Sequence, residues 1–145
     1  MIDAAIVGLG RWGKNFVESI QGKSSRIRFT RGVDAAPDKL REFAASHGLP
    51  LCADLAEALA DPAIKAVVLA TPHSLHRPMV EASARAGKQV FCEKPLALNT
   101  ADALAMVEAC RKAGVVLGVG HNRRLWPSMQ ELKRIAGTGE LGAIL

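Results

Sequence analysis

The sequence is poor in aromatic residues and cysteines and has no long apolar run. Aromatic side chains make up 4% of the 145 residues, and no basic run with interleaved aromatics indicates a nucleic-acid surface, although the net charge is +5. The three cysteines are widely spaced, which favours a reducing cytoplasm over a disulfide framework or a zinc site. No stretch approaches the roughly 20 apolar residues of a membrane span, and no signal peptide is evident. We therefore expect a cytoplasmic protein that binds a small anionic ligand, without a metal, nucleic acid or membrane as partner.

Aliphatic residues and glycine are abundant instead. Hydrophobic residues account for 49% of the chain, and 13 residues are glycine. Short aliphatic runs alternate with segments of helical period, and this order predicts an α/β fold with a parallel sheet. The predicted strands are 4–7, 28–33, a short one near Leu51, 66–70, 89–92 and 115–119. The predicted helices between them are 14–20, 37–47, 55–59, 75–86 and 100–113, the last with Leu104 and Val107 in its apolar stripe.

A glycine-rich turn, GLGRWG at 8–13, follows the first predicted strand and opens a helix. The GxGxxG pattern alone is weak, but here it lies in a strand-helix-strand unit of about 30 residues. Gly8 permits the tight turn, Gly10 lets the backbone approach a pyrophosphate, and Gly13 lets the helix pack on the strand. The helix N-terminus offers free N–H groups and a positive dipole to phosphates. The alternative is that these glycines merely shape a turn.

Asp34 ends the second predicted strand, 21 positions after Gly13. Its carboxylate can accept hydrogen bonds from both adenosine ribose hydroxyls and would repel a 2′-phosphate, so NAD is favoured over NADP. The alternative, a helix N-cap, is compatible with ribose binding. Arg11 and Trp12 either flank the cofactor or are a solvated arginine and a packed tryptophan. Together these features predict a doubly wound Rossmann sheet with helices on both faces, over residues 1–120.

A second motif, TPHSLH at 71–76, follows the fourth predicted strand at its carboxyl end, where open α/β sheets bind their ligands. Thr71, Pro72, His73 and His76 are therefore candidate cofactor contacts. His76 could instead be a satisfied residue at a helix start, and His73 an exposed loop residue.

A third motif, EKP at 93–95, follows the fifth predicted strand directly. This position brings Lys94 near the expected nicotinamide, where its charge can polarise a substrate hydroxyl or carbonyl oxygen. The alternative is a surface ion pair between Glu93 and Lys94, which would contribute little stability. Cys92 is interpreted as core packing.

The glycine turn, the TPxxxH loop, EKP and the NRR triplet at 122–124 resemble, in order and spacing, the glucose-fructose oxidoreductase, inositol dehydrogenase and MocA (Gfo/Idh/MocA) family. The resemblance covers nearly the whole chain, and EKP is its most specific element. It implies that Lys94 lies beside nicotinamide and substrate, that Glu93 helps to orient the site, and that the Thr71-Pro72 loop with His76 lines the cofactor groove. It makes Arg123 a candidate cofactor or substrate contact. The alternative for Arg123 and Arg124 is a basic approach to a helix.

The resemblance also implies a larger C-terminal α/β domain, which would support oligomers and carry an Asp and a His that complete catalysis. We expect that domain to be largely absent from this sequence. Residues 121–145 are interpreted as a connecting helix at 127–136 and, from 139 onward, a turn entering its first strand. The chain alone is therefore expected to be inactive.

These observations predict the NAD-binding domain of a dehydrogenase that transfers hydride to or from a sugar, cyclitol or related polyol. The intact protein is expected to be a homo-oligomer. Two other hypotheses remain: a non-catalytic dinucleotide-binding or redox-sensing module, and an adenosylmethionine-dependent transferase. EKP and the three-glycine spacing argue against the transferase.

Overall fold

The computed structural model describes residues 1–140 and Gly142. Within them, six strands and six α-helices alternate along the chain. The strands are β1 (Ile2–Val7), β2 (Ile27–Val33), β3 (Leu51–Cys52), β4 (Ala66–Leu69), β5 (Gln89–Cys92) and β6 (Leu117–Val119). The helices are α1 (Arg11–Ile20), α2 (Arg41–Ser46), α3 (Leu55–Ala60), α4 (His76–Arg85), α5 (Thr100–Ala113) and α6 (Pro127–Thr138).

All strand pairs are parallel, and the sheet order is β3-β2-β1-β4-β5-β6. The chain moves outward from β1 to β3, returns to the centre at β4 and then moves outward on the other side. This is the doubly wound order, with its topological switch between β1 and β4. The predicted Rossmann fold is therefore confirmed.

Two apolar layers cover the two faces of the sheet. Because side chains alternate along a strand, Ala4 and Ile6 face one layer, whereas Ala5 and Val7 face the other. The first layer packs against α1 and α2, and the second packs against α3, α4 and α5. Helices thus lie on both faces, as predicted, and the central strands are buried on both sides.

A buried lysine supports the edge of the sheet opposite the motifs. Lys88 precedes β5 and is only 7% exposed. Its Nζ atom donates to the carbonyl oxygens of Asp61 and Ile64 at 2.7 and 2.8 Å. These bonds compensate for removing the charge from water.

Several element boundaries differ from the sequence predictions. The predicted helix 37–47 consists of a 3-10 turn at Pro37–Leu40 followed by α2, and a 3-10 turn at His73–Leu75 precedes α4. The predicted apolar stripe of α5 is wrong, because Leu104 and Val107 are 64% and 50% exposed. The helix is rotated so that Met106 and Cys110 enter the core instead.

After β6 the chain forms a 3-10 turn at Asn122–Leu125 and then α6. Most of α6 is exposed, including Met129 and Leu132. The strand predicted within 139–145 lies largely outside the described residues. Within the described part, none of the helices has the length and apolar character needed to cross a lipid bilayer.

Candidate cofactor and active site

The motifs meet at the carboxyl edge of the sheet, because the residue that follows a strand bonds to the end of the neighbouring strand. This pattern repeats five times across the sheet and ties each loop to the next strand. The five bonds run from the Gly8, Asp34, Ala70, Glu93 and Gly120 amides to the Val33, Cys52, Val7, Leu69 and Cys92 carbonyl oxygens, at 2.8, 3.2, 2.8, 3.0 and 2.9 Å. Each motif therefore begins at a defined position along one edge.

The first and last glycines of the GLGRWG turn have no room for a side chain. Gly8 has a φ of +85°, and a Cβ there would lie 2.7 Å from the Ala70 carbonyl oxygen. A Cβ on Gly13 would overlap the Gly8 carbonyl, with its carbon at 2.9 Å. The turn can thus fold back on the central strands only with glycine at both positions.

Gly10 differs, because a Cβ on it would meet nothing within 4 Å. Its residue is exposed and forms the N-cap of α1, which has no side-chain cap and no acidic residue in its first turn. The first amides of a helix lack partners inside the helix and carry partial positive charge. The space above Gly10 is thus open and lined by backbone donors, an arrangement that fits a pyrophosphate.

Asp34 lies at the carboxyl edge of the sheet, and its side chain bonds to the glycine turn. One carboxylate oxygen accepts from the Leu9 amide at 2.8 Å, and the other accepts from the Ala36 amide at 3.0 Å. The second bond closes a local turn; it is not a helix cap, because Ala36 is the N-cap of the following 3-10 turn and has no side-chain cap bond. The first bond was not predicted. Because a carboxylate has about four acceptor positions, two remain for ribose hydroxyls.

One part of the TPHSLH loop is exposed, and its last residue is buried. Pro72 and His73 are exposed, and Thr71 is half-buried. His76, by contrast, is 0% exposed, and its ring nitrogens lie 3.1 Å from the carbonyl oxygens of Thr71, Pro95 and Leu96. This placement corrects the expectation that His76 lines the groove, because its ring is fully used inside the protein.

Glu93 and Lys94 do not form the surface ion pair considered from the sequence. The Glu93 carboxylate accepts from the Lys94 backbone amide at 3.1 Å. It lies against Gly120, where a Cβ would come within 2.8 Å of a Glu93 oxygen. The Lys94–Pro95 peptide bond is cis. The Lys94 side chain is exposed, and no residue in 1–140 makes an ion pair or hydrogen bond with its ammonium group.

Cys92 lies directly before Glu93 and is 0% exposed. Burial, with a smaller contribution from the Glu93 charge, raises the pKa of the thiol to about 12. The thiol therefore stays protonated and unreactive, in agreement with the packing interpretation.

Lys94 lies where two cavities adjoin. A cleft of about 610 Å³ is lined by Lys94 and the segment 120–124. A slot of about 210 Å³ lies beside it, and its lining residues come from the glycine turn, EKP and the chain after β6: Trp12, Glu93, Lys94, Asn122, Arg123 and Trp126. The Arg123 guanidinium lies over the Trp126 ring, 5.5 Å from its centroid, within cation–π range. The structure thus brings Trp12, Lys94 and Arg123 together around one space.

Other residues in this region were not predicted from the sequence. Trp126 and His121 lie in loop and turn segments after β6, and no periodic pattern marks them. Gly120 carries a weak signal, since a glycine directly after a predicted strand is typical of a close approach. Arg11 is exposed at the start of α1 and does not line either cavity. Within the described residues, no group of three or more His, Cys, Asp or Glu side chains could hold a metal ion.

Comparisons with known proteins agree with this geometry. Residues 2–121 match the model of the GFO_IDH_MocA group, described as an oxidoreductase family with an NAD-binding Rossmann fold. The chain is 36% identical over 138 residues to the myo-inositol 2-dehydrogenase of Thermotoga maritima. This alignment covers 94% of this chain and 41% of that protein.

Two solved structures are also similar. The WlbA dehydrogenase from Bordetella pertussis in complex with NADH and UDP-GlcNAcA has a TM-score of 0.91 and 34% identity, covering 99% of this chain and 41% of that chain. The scyllo-inositol dehydrogenase from Lactobacillus casei with bound NAD(H) and scyllo-inositol has a TM-score of 0.90 and 26% identity, covering 99% and 43%. The chain spans about two fifths of the length of the curated relatives that it matches.

Proposed function

The chain belongs to the Gfo/Idh/MocA oxidoreductase family, with its NAD-binding Rossmann fold, and from this premise we propose that it is the cofactor-binding part of a dehydrogenase acting on a sugar, cyclitol or related polyol. The observation that carries the proposal is the position of Lys94. Its exposed side chain lies between a slot that reaches the glycine turn and a larger cleft. A cofactor bound on the turn and a substrate in the cleft would therefore share this lysine.

The residues present fit NAD. The amides at the start of α1 and the open space over Gly10 would hold the pyrophosphate. The free acceptor positions of Asp34 would hold the adenosine ribose, and its charge disfavours a 2′-phosphate. When bound, the nicotinamide supplies the chemistry of hydride donation or acceptance.

Lys94 would donate a hydrogen bond to the substrate oxygen whose carbon is oxidised or reduced. A positively charged group beside that oxygen stabilises the negative charge that develops on it. Because the ammonium group has no partner among residues 1–140, no existing bond has to break before it meets a substrate. This absence of competing contacts supports a catalytic role for Lys94.

Glu93 and Arg123 would have supporting roles. Glu93 bonds the Lys94 amide and so holds the backbone from which the catalytic side chain extends. Arg123, stacked on Trp126, presents its planar group in the slot, where it can bind a cofactor or substrate oxygen. The loop after β4 lies at the same carboxyl edge of the sheet. We propose that its residues Thr71, Pro72 and His73 contact the cofactor, together with Arg11 and Trp12.

The substrate class, the domain boundary and the partners belong to the proposal as well. The names of the inositol dehydrogenases and of the dehydrogenase with UDP-GlcNAcA support a polyol or sugar substrate. We place the domain boundary near residue 120, where the sheet ends, and assign the second proton-transfer group to the remaining part of the enzyme. A homo-oligomer and a cytoplasmic location stay predictions.

A titration with NADH and NADPH, followed by the fluorescence of Trp12 and Trp126, tests the cofactor assignment. Turnover of inositols and sugars by the complete enzyme and by Lys94→Ala tests the chemistry. We expect a loss of about 10²- to 10⁴-fold in kcat for Lys94→Ala. Lys112→Ala, an exposed lysine on α5, is the control. Lys94→Ala turning over at the wild-type rate would refute the role, and failure to bind either cofactor would refute the proposed function.

A further inference from the structure

We propose that His76 is a positioning residue that sets the place of Lys94 beside the cofactor by joining the TPHSLH loop to the segment after Lys94. The inference rests on the proposed function. It concerns a buried side chain outside the cavities, acting through the backbone of EKP and not by contact with cofactor or substrate.

The first observation is the position of the ring between two loops. His76 begins α4 and is 0% exposed. Nδ1 lies 3.1 Å from the carbonyl oxygens of both Pro95 and Leu96, and Nε2 lies 3.1 Å from the Thr71 carbonyl oxygen. Thr71 follows β4 closely and Lys94 follows β5, and these strands are neighbours. One ring thus spans both loops at the edge where the motifs meet.

The second observation is that all three partners are acceptors. A carbonyl oxygen can only accept, so the ring serves the loops solely as an N–H donor. A neutral imidazole has one N–H and donates to one loop, whereas a ring with protons on both nitrogens donates to both. The side that faces Pro95 and Leu96 is the one that bears on Lys94.

The third observation is that EKP is held on its other side as well. The Glu93 carboxylate bonds the Lys94 amide and rests on the bare backbone of Gly120. Lys94 therefore lies between two anchors, Glu93 before it and the carbonyl groups bound by His76 after it. The side chain of Lys94, which is exposed and lines the cleft, extends from the backbone between these anchors.

The two ends of the cofactor should therefore respond differently to the loss of His76. The adenosine and pyrophosphate would bind at Asp34 and α1, which His76 does not contact. The nicotinamide would lie beside Lys94. Loss of the bond to Pro95 and Leu96 should therefore weaken binding of NADH but not of ADP-ribose, which lacks the nicotinamide. A general loss of structure would weaken both.

Two substitutions divide the contacts of the ring. The amide nitrogen of Asn reaches about as far as Nδ1, and that of Gln about as far as Nε2. His76→Asn thus keeps a donor toward Pro95 and Leu96, whereas His76→Gln keeps a donor toward Thr71 only. Val80→Ala, on the same helix and also 0% exposed, is the control for a destabilised core that leaves both loops bonded.

Dissociation constants for NADH and ADP-ribose are measured by calorimetry on the folded chain. We expect His76→Gln to bind NADH about five- to tenfold more weakly, the equivalent of one lost hydrogen bond, with ADP-ribose unchanged within about twofold. His76→Asn should bind both ligands within about threefold of the wild type, and Val80→Ala should bind both normally.

Equal losses for NADH and ADP-ribose in His76→Gln, or unchanged NADH affinity in it, would overturn the proposal. So would a loss in His76→Asn as large as that in His76→Gln. If His76→Gln does not fold, a normal His76→Asn still supports the proposal and a defective one overturns it. A wild-type chain that binds neither ligand would instead refute the proposed function, so the two failures are distinguishable.

Discussion

The two glycines on either side of the helix start should respond to the same substitution in opposite ways. A methyl group on Gly13 would overlap the Gly8 carbonyl, which is backbone and cannot rotate away. A methyl group on Gly10 would meet nothing within 4 Å. We therefore predict that Gly13→Ala destabilises the fold, whereas Gly10→Ala leaves the fold intact and blocks the cofactor.

The magnitudes follow from these contacts. Overpacking against backbone costs about 1–3 kcal/mol or more, and for a domain of this size each kcal/mol lowers the Tm by about 4 °C. Gly13→Ala should thus lower the Tm by roughly 4–12 °C. Gly10 has a φ of −67°, which alanine adopts readily. Its entropic gain of about 0.4–1 kcal/mol offsets the weaker N-cap, so the free energy of unfolding should change by less than about 0.5 kcal/mol.

Thermal unfolding by circular dichroism measures the first effect, and calorimetric titration with NADH measures the second. Gly10→Ala should weaken NADH binding at least tenfold, about 1.4 kcal/mol, because the added carbon occupies the approach to the α1 amides. Gly137→Ala is the control, because this glycine lies in α6, has no positive φ and has nothing within 4 Å of an added Cβ. Normal NADH affinity in Gly10→Ala would refute the assignment of this space to a pyrophosphate, and an unchanged Tm in Gly13→Ala would refute the packing argument.

Three further predictions concern single residues. Asp34→Ala removes the acceptors for ribose and for the Leu9 amide, so the preference for NADH over NADPH should fall toward one in paired titrations. Lys88→Met removes two hydrogen bonds to carbonyl oxygens and should lower the free energy of unfolding, measured by urea denaturation, by about 2–3 kcal/mol. NADH affinity should not change, because Lys88 lies at the edge of the sheet opposite the glycine turn. Cys92, with its pKa raised to about 12, should resist iodoacetamide at pH 8 in the native chain and react in urea, as mass spectrometry would show. The pKa of this thiol is near its ordinary value of 9.0 in the unfolded chain and about 12 in the native chain. Between these two pH values the unfolded thiol loses its proton and the native thiol keeps it. The contribution of this group to stability is therefore complete below about pH 9 and is lost as the pH rises toward 12.

Each of these has a contrary result. An unchanged cofactor preference in Asp34→Ala would mean that another group recognises the ribose. A Lys88→Met chain as stable as the wild type would show that the two carbonyl groups find other partners. Rapid alkylation of native Cys92 would contradict its burial, and Cys52 and Cys110, whose thiol pKa values are also raised by burial, serve as internal comparisons.

The sheet and the glycine turn were predictable because their signals are local. Strand β4 and residues 4–7 of β1 are buried on both faces, so they appear in the sequence as unbroken aliphatic runs. The turn is marked by glycines whose spacing follows directly from the steric contacts described above. The position of Asp34 was predictable for the same reason, since its place after β2 is enough to bring it to the glycine turn.

The buried face of α5 was not predictable from period alone. The helix carries apolar or small side chains on most of its circumference, so more than one stripe fits a helical repeat. Which stripe enters the core depends on how the helix is rotated against α4 and the sheet. That rotation places Met106 and Cys110 inward and leaves Leu104 and Val107 exposed. The sequence pattern of one helix alone does not determine the rotation.

The support of the candidate site escaped prediction for a related reason. Sequence patterns indicated candidate groups such as Lys94, because a charged residue directly after a predicted strand is visible in the sequence. The groups that hold Lys94 in place act through contacts distant in sequence: His76 and Pro95 are 19 positions apart, and Gly120 and Glu93 are further apart. Neither a buried histidine nor a bare glycine signals such a role by its type. A related chain that kept EKP but lost His76 or Gly120 would thus match the motif while its lysine was held less firmly. The pattern alone is therefore a weaker indication of activity than the pattern together with these two positions.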